Sequence, residues 1–151
     1  MKSLGSATGS TRTTDQTNIA KFWADGAGTI TPPGHLNQMA HVVADSQGNS
    51  MAQNARLFAM LNIALADAAI MAWNTKYATE FWRPVTAIRA ADTDGNANTT
   101  ADTAWTPLLT TPPFPSYVSG HSSFSGTAAA VLATFLERTT SRSRSLLRTL
   151  R

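Results

Sequence analysis

The chain has 151 residues, 42% of them hydrophobic and 14% charged, enough to bury a core as one domain or as a piece of a larger one. It contains no cysteine, which excludes disulfides and thiolate metal sites. The net charge of +3 sits in the tail: residues 138–151 hold five of the twelve basic side chains and no acid, leaving residues 1–137 with seven basic and nine acidic groups, a net of −2, which argues against a basic face for nucleic acid.

Residues 1–14 are rich in Ser, Thr and Gly and are expected to form a loose N-terminal segment. Their single lysine has no apolar core behind it, so they are not a signal peptide. No run of about 18 or more apolar residues exists, so no membrane span is expected. Asp15 is placed to cap a short helix reaching about Ala24, with Ile19, Phe22 and Trp23 apolar at helical spacing. Residues 25–34 are dense in Gly and Pro and read as a loop, and a second helix follows over about His35–Asp45.

The third helix has the plainest pattern. From Met51 to Thr79 there is no Gly or Pro, and Leu57, Leu61, Ala64, Leu65, Ala68 and Met71 recur at helical spacing. Pro84 disfavours helical backbone at Arg83 and suits a first helical position, so the helix should end near Phe81 and another restart at Pro84, to about Ala91. Residues 92–105 read as a surface loop, and the proline-rich stretch after them as extended. A last helix is expected from about Ser119 or Gly120 to Glu137. No segment alternates at period two, so the chain reads as all-α, with no internal repeat.

Two stretches carry chemistry. In "WNTKYATEFWRP" (73–84), Lys76 and Arg83 are nearly two helical turns apart and would share a face. Two cations held close repel unless an anion lies between them, and Arg offers a planar fork of donors suited to an oxyanion. On spacing alone they fit better two solvated cations at a helix end, snorkelling beside aromatics. In "PPFPSYVSGHSSFSG" (112–126), Ser119 is an N-cap candidate and Gly120 permits close backbone approach. His121 stands in the first turn of a helix whose free N–H groups suit an oxyanion. There it could act as general acid–base or nucleophile. Taken alone, the tripeptide is also an ordinary Ser-capped helix start with a surface histidine.

Together, Lys76, Arg83-Pro84 and Ser119-Gly120-His121, with about 35 residues between the two motifs, resemble the vanadium-dependent haloperoxidases and the related type 2 phosphatidic acid phosphatases. The resemblance is to the chloroperoxidase branch and its bacterial relatives in particular. It runs over roughly residues 11–136, through "TRTTDQT", "FWADG", "TPPGHLNQ", "ARLFAMLNIALADAAI" and both stretches above. It implies an all-α helical bundle of the haloperoxidase and acid phosphatase type. It implies that Lys76 and Arg83 bind the oxygens of vanadate or phosphate, that Ser119 and Gly120 hydrogen-bond it, and that His121 is the acid–base histidine. Asp25, in "FWADG", matches a carboxylate that partners this histidine, and also fits a simple turn. Trp73 and Phe114 match pocket-wall aromatics, although either could be core. Asp67 suits a structural hydrogen bond better than catalysis. Val118 replaces the proline that often precedes Ser-Gly-His.

The departure is at the C-terminus. The family's third motif holds an arginine and, shortly after, a histidine that is the axial ligand of vanadium, or the nucleophile in the phosphatases. Here the histidines are His35, His41 and His121, and none follows His121. Arg142 and Arg144 echo the motif's arginine. His35, expected in a loop, and His41 read as surface residues, so no axial metal ligand is identified. Residues 138–151 use only Arg, Ser, Thr and Leu, an abrupt shift that suggests an out-of-frame tail on a C-terminally truncated bundle domain over 15–137. The expected function is therefore halide oxidation by hydrogen peroxide at a vanadate pocket, impaired without the third motif. The alternatives are an acid phosphatase acting on phosphomonoesters, and a non-catalytic oxyanion-binding fragment. Uncovered helix faces over 51–79 are expected to invite self-association. The sequence leaves the compartment open; complete relatives are often exported.

Overall fold

A computed structural model describes the backbone of residues 2–149 and the side chains of residues 2–137. Among the described residues the secondary structure is helical, with no strand: α1 is Lys2–Gly5, α2 Thr14–Phe22, α3 Thr31–Ser46, α4 Met51–Thr79, α5 Pro84–Arg89 and α6 Gly120–Thr149, with a 3-10 turn at Ala91–Thr93. The all-α reading of the sequence therefore stands.

Local chemistry fixes the helix ends. α2 starts at a capping box in which the Thr13 hydroxyl accepts from the Gln16 N–H and the Gln16 side chain accepts from the Thr13 N–H, which satisfies two otherwise orphaned donors. The cap is therefore Thr13, and Asp15 lies inside the first turn, where its charge suits the helix dipole. α3 begins at Thr31, ahead of the expected His35, because Pro32 and Pro33 occupy first-turn positions that have no intrahelical N–H bond to lose. His35 is consequently helical and half-buried, not in a loop. α4 starts at Met51 as expected but ends at Thr79, two residues before the expected Phe81; Glu80 turns left-handed at φ 47°, and Arg83 is extended at ψ 152° before Pro84, as a residue preceding proline should be. α6 continues through Thr149, beyond the end expected at Glu137. Its last stretch contains no Gly or Pro to stop it. The side chains of Arg142 and Arg144 lie outside the described residues.

The chain forms two compact units, Met1–Gly26 with Asn74–Val118, and Ala27–Trp73 with Ser119–Arg151. In the second unit α3, α4 and α6 enclose a core. Leu36 and Ala40 of α3, Leu61 and Leu65 of α4, and Phe124 and Ala128 of α6 are buried together. Ala44, Leu57 and Phe135 extend the core along the same three helices. Each large apolar side chain so buried contributes roughly 1.5–3 kcal/mol, and the alanines let the helix axes approach. Asn37 and Asn62 join α3 to α4 by reciprocal amide bonds of 3.0 and 2.9 Å.

The first unit has little apolar core. Trp105 and Ala91 are buried in it, and so is Lys76. Hydrogen bonds do most of the organising. Arg12 donates to the carbonyls of Leu4 and Ser6, and an isolated bridge joins Ser6 to Pro107.

By length and composition alone, the stretch Met51–Arg89 is apolar enough to cross a membrane, with a window of mean hydropathy 1.6. This revises the expectation of no candidate span. Arg56, Asn62 and Asp67 interrupt the run, so a search for unbroken apolar residues passes over it. Leu57, Leu61 and Leu65 of that stretch are core residues of the bundle, while Ile63, Ile70 and Met71 are exposed.

Candidate functional site

Unit one brings three of the expected site residues together. Lys76, in the last turn of α4, is only 1% exposed. Its Nζ donates to the carbonyls of Pro115 and Ser116 at 3.0 and 3.1 Å. Arg83 stands at the N-cap of α5, and its Nε donates to the Phe114 carbonyl at 2.7 Å. The Phe114 ring lies under both cations, 5.1 Å from Lys76 Nζ and 4.8 Å from Arg83 Cζ, close enough for each to feel the negative ring face. Pro112, Pro113 and Pro115 lack N–H groups, so this segment can turn carbonyls toward the cations without leaving many donors unpaired.

An ion pair in this unit joins Lys2 to Asp102. Burial, and then repulsion by Arg83, holds the Lys76 ammonium below its ordinary range. Burial likewise lowers Arg83. Arg83 Nη2 is buried with no hydrogen-bond partner, and leaving such a donor unmet costs about 1–3 kcal/mol, more when it is charged. Two desolvated cations and an unused guanidinium donor form a preorganised electropositive cluster. An oxyanion would relieve both the repulsion and the orphaned donor.

Asp25 lies in the loop after α2, half-buried, with φ of 43°, in the left-handed region that Asp tolerates better than most residues.

In unit two the start of α6 is built as expected. The Ser119 hydroxyl accepts from the Ser122 N–H at 3.2 Å, an N-cap bond that leaves its hydrogen able to donate. The Ser119 carbonyl receives the Ser123 N–H at 3.1 Å and the Ser123 hydroxyl at 2.9 Å. Gly120 has a reason the sequence does not show. A Cβ there would stand 3.1 and 3.2 Å from the Cη2 and Cζ3 atoms of Trp73. Trp73 in turn packs on Phe124 with ring centroids 6.2 Å apart. Trp73 therefore packs against the core and against the first residue of α6. His121, next in the helix, is exposed. Asp67 is exposed on α4, and His41 is exposed with its ring 4.3 Å from that of Phe58. No group of three or more His, Asp or Glu among the described residues is placed to hold a metal ion.

One family model, that of the VCPO second helical-bundle domain, matches residues 56–147. The chain belongs to this family. Among curated proteins it is 36% identical over 128 residues to the vanadium chloroperoxidase of Curvularia inaequalis, an alignment covering 74% of this chain and 21% of that protein. The chain thus spans about a fifth of the length of the curated relative it matches. No solved structure matches significantly. The haloperoxidase-like resemblance drawn from the motifs stands, and the matched region contains Lys76, Arg83, Phe114 and Ser119-Gly120-His121.

The carbonyl acceptors around the two cations were not foreseen. Phe114, Pro115 and Ser116 hold the cations through main-chain oxygens, which no side-chain motif reveals. The clustered prolines, with few N–H groups of their own, were the available signal.

Proposed function

We propose that this chain binds a tetrahedral oxyanion, vanadate in the haloperoxidase manner, through Lys76 and Arg83 with Ser119 and Gly120, and that His121 serves as the acid–base group with Asp25 as its partner. The observation that carries the reading is the buried, unpartnered Nη2 of Arg83 beside the buried Lys76. That unmet donor, beside a second buried cation, suits an anion, and vanadate supplies four oxygens that accept from Lys, Arg, hydroxyl and backbone donors. Membership of the family, and the name of its chloroperoxidase relative, support vanadate over other oxyanions and halide oxidation by hydrogen peroxide over ester hydrolysis.

When bound, vanadate supplies the centre at which peroxide is polarised toward halide. This chain's own contribution is electrostatic. Lys76 and Arg83 offset the negative charge of the oxyanion and of what it binds. Ser119 donates from its hydroxyl, and His121 can exchange a proton from its ring at the exposed start of α6. Oxyanion binding is the property proposed for the residues present.

Thermal melting tests the reading. Millimolar phosphate or vanadate should raise the Tm of the wild-type chain, and Arg83→Ala should abolish the rise. An equal rise in that variant would remove the pocket. A rise with phosphate but none with vanadate, joined to hydrolysis of a phosphomonoester, would favour the phosphatase chemistry.

A further inference from the structure

α5 is six residues long and buries none of them. A helix so short has no stability of its own in water, so its direction depends on what holds its ends. At the near end, the Ser116 N–H donates to the Phe81 carbonyl at 2.9 Å, and Arg83 Nε donates to Phe114. At the far end, the Asp102 N–H donates to the Ile88 carbonyl at 3.0 Å, and Arg89 Nε donates to the Trp105 carbonyl at 2.9 Å.

Trp105 is in turn fixed by the N-terminal segment. Its indole N–H donates to the Lys2 carbonyl at 3.0 Å. Its ring lies against Gly5 so closely that a Cβ there would be 3.2 Å from Cζ2. On either side the main chains pair: the Ala7 N–H donates to the Thr106 carbonyl at 2.8 Å, and the Leu108 N–H to the Gly5 carbonyl at 2.9 Å. Arg12 closes the segment on itself through the carbonyls of Leu4 and Ser6. The Lys2–Asp102 ion pair is solvent-exposed and adds little.

We propose that residues 2–12 act as a strap which, through Trp105 and Arg89, sets the direction of α5 and so holds the Arg83 guanidinium in its anion-binding position. Trp105 and Arg89 are positioning residues in this scheme. Its consequence for binding rests on the oxyanion reading above, whereas the mechanical link does not.

The test uses the full chain. Arg89→Met removes one donor at an exposed position and keeps the apolar stem. Trp105→Phe removes the indole N–H and keeps a ring over Gly5. Two quantities are read: the hydrogen-exchange rate of the Arg83 Nε–H by NMR, and the Kd for inorganic phosphate. Both variants are expected to retain the wild-type helical circular dichroism, to exchange the Arg83 Nε–H faster, and to bind phosphate about tenfold more weakly, the low end of what loss of an orienting residue costs at a binding site. Unchanged exchange in both variants overturns the strap. So does faster exchange with an unchanged Kd in a chain that binds phosphate. If the wild type takes up no phosphate yet exchange still quickens, the strap stands and the oxyanion reading falls. Should Trp105→Phe lose its helical signal, Arg89→Met decides alone.

Discussion

At the scale of single residues, the cluster of Lys76, Arg83 and Phe114 is held in a costly state. The folded protein keeps the Lys76 ammonium below its ordinary range, first through burial and then through Arg83. It therefore releases that proton at a lower pH than the unfolded chain does. Between those two values the unfolded chain binds more protons, so stability rises with pH in that alkaline window. An oxyanion favours the charged ammonium, so phosphate affinity should fall as pH rises through the lowered range of Lys76. Calorimetric titration at pH values where phosphate is already dianionic checks this, and an affinity that climbs with pH would remove Lys76 from the site. Gly120 gives a second prediction. In Gly120→Ala the new methyl meets the Trp73 ring at 3.1 and 3.2 Å, a clash of about 1–3 kcal/mol for a packed neighbour. The gain in helix propensity is at most about 1 kcal/mol. The clash should win, and the variant should melt lower with no ligand present. Lys76, Arg83, Ser119 and His121 were legible as residue types at motif spacing. That Lys76 would be held by two main-chain carbonyls, and that Gly120 would lie under an indole, was not, because both depend on long-range contacts that leave no local pattern.

At the scale of elements, the hydrophobic period and the absence of breakers placed the start of α4 and put its end within two residues, the left-handed turn at Glu80 stopping it before Phe81. Pro84 located the start of α5. The errors fell where one cue competed with another. Pro32 and Pro33 look like loop residues and serve as a helix start. The compositional shift after Glu137 looks like an end, and α6 passes through it. At α2, Asp15 was the more familiar cap, but Thr13 forms the reciprocal bond with Gln16. Because α2 buries no residue, this cap should matter more to it than to a core helix. Thr13→Ala is expected to cost about 1 kcal/mol. The loss should appear as faster amide exchange across residues 14–22, with little change in the exchange of α3 or α4. Uniform loss of protection would mean instead that α2 is tied to the rest cooperatively.

At the scale of the whole molecule, the two compact units could not be read from the sequence, since α4 runs unbroken across the division between Trp73 and Asn74. The three-helix core of the second unit leaves apolar side chains outside it. Val42, Ile63, Ile70 and Met71 are each 65–71% exposed, and only 22% of the most apolar window over Met51–Arg89 is buried. Such surface favours association. The chain should bind a hydrophobic dye and sediment as a concentration-dependent oligomer, and Ile70→Glu with Met71→Glu should lower both without lowering the helical content. Sedimentation of the wild type as a monomer at high concentration would show that this surface is tolerated in water.

The indole of Trp73 touches the first residue of α6, one position before His121. It is one of four tryptophans in the chain, so biosynthetic labelling with fluorotryptophan gives a fluorine spectrum of four resonances. One of them belongs to a nucleus in contact with the proposed anion-binding backbone. Any molecule that settles at the start of α6, coloured or not, catalytic or not, will shift that resonance, so the protein carries its own spectroscopic gauge of occupancy.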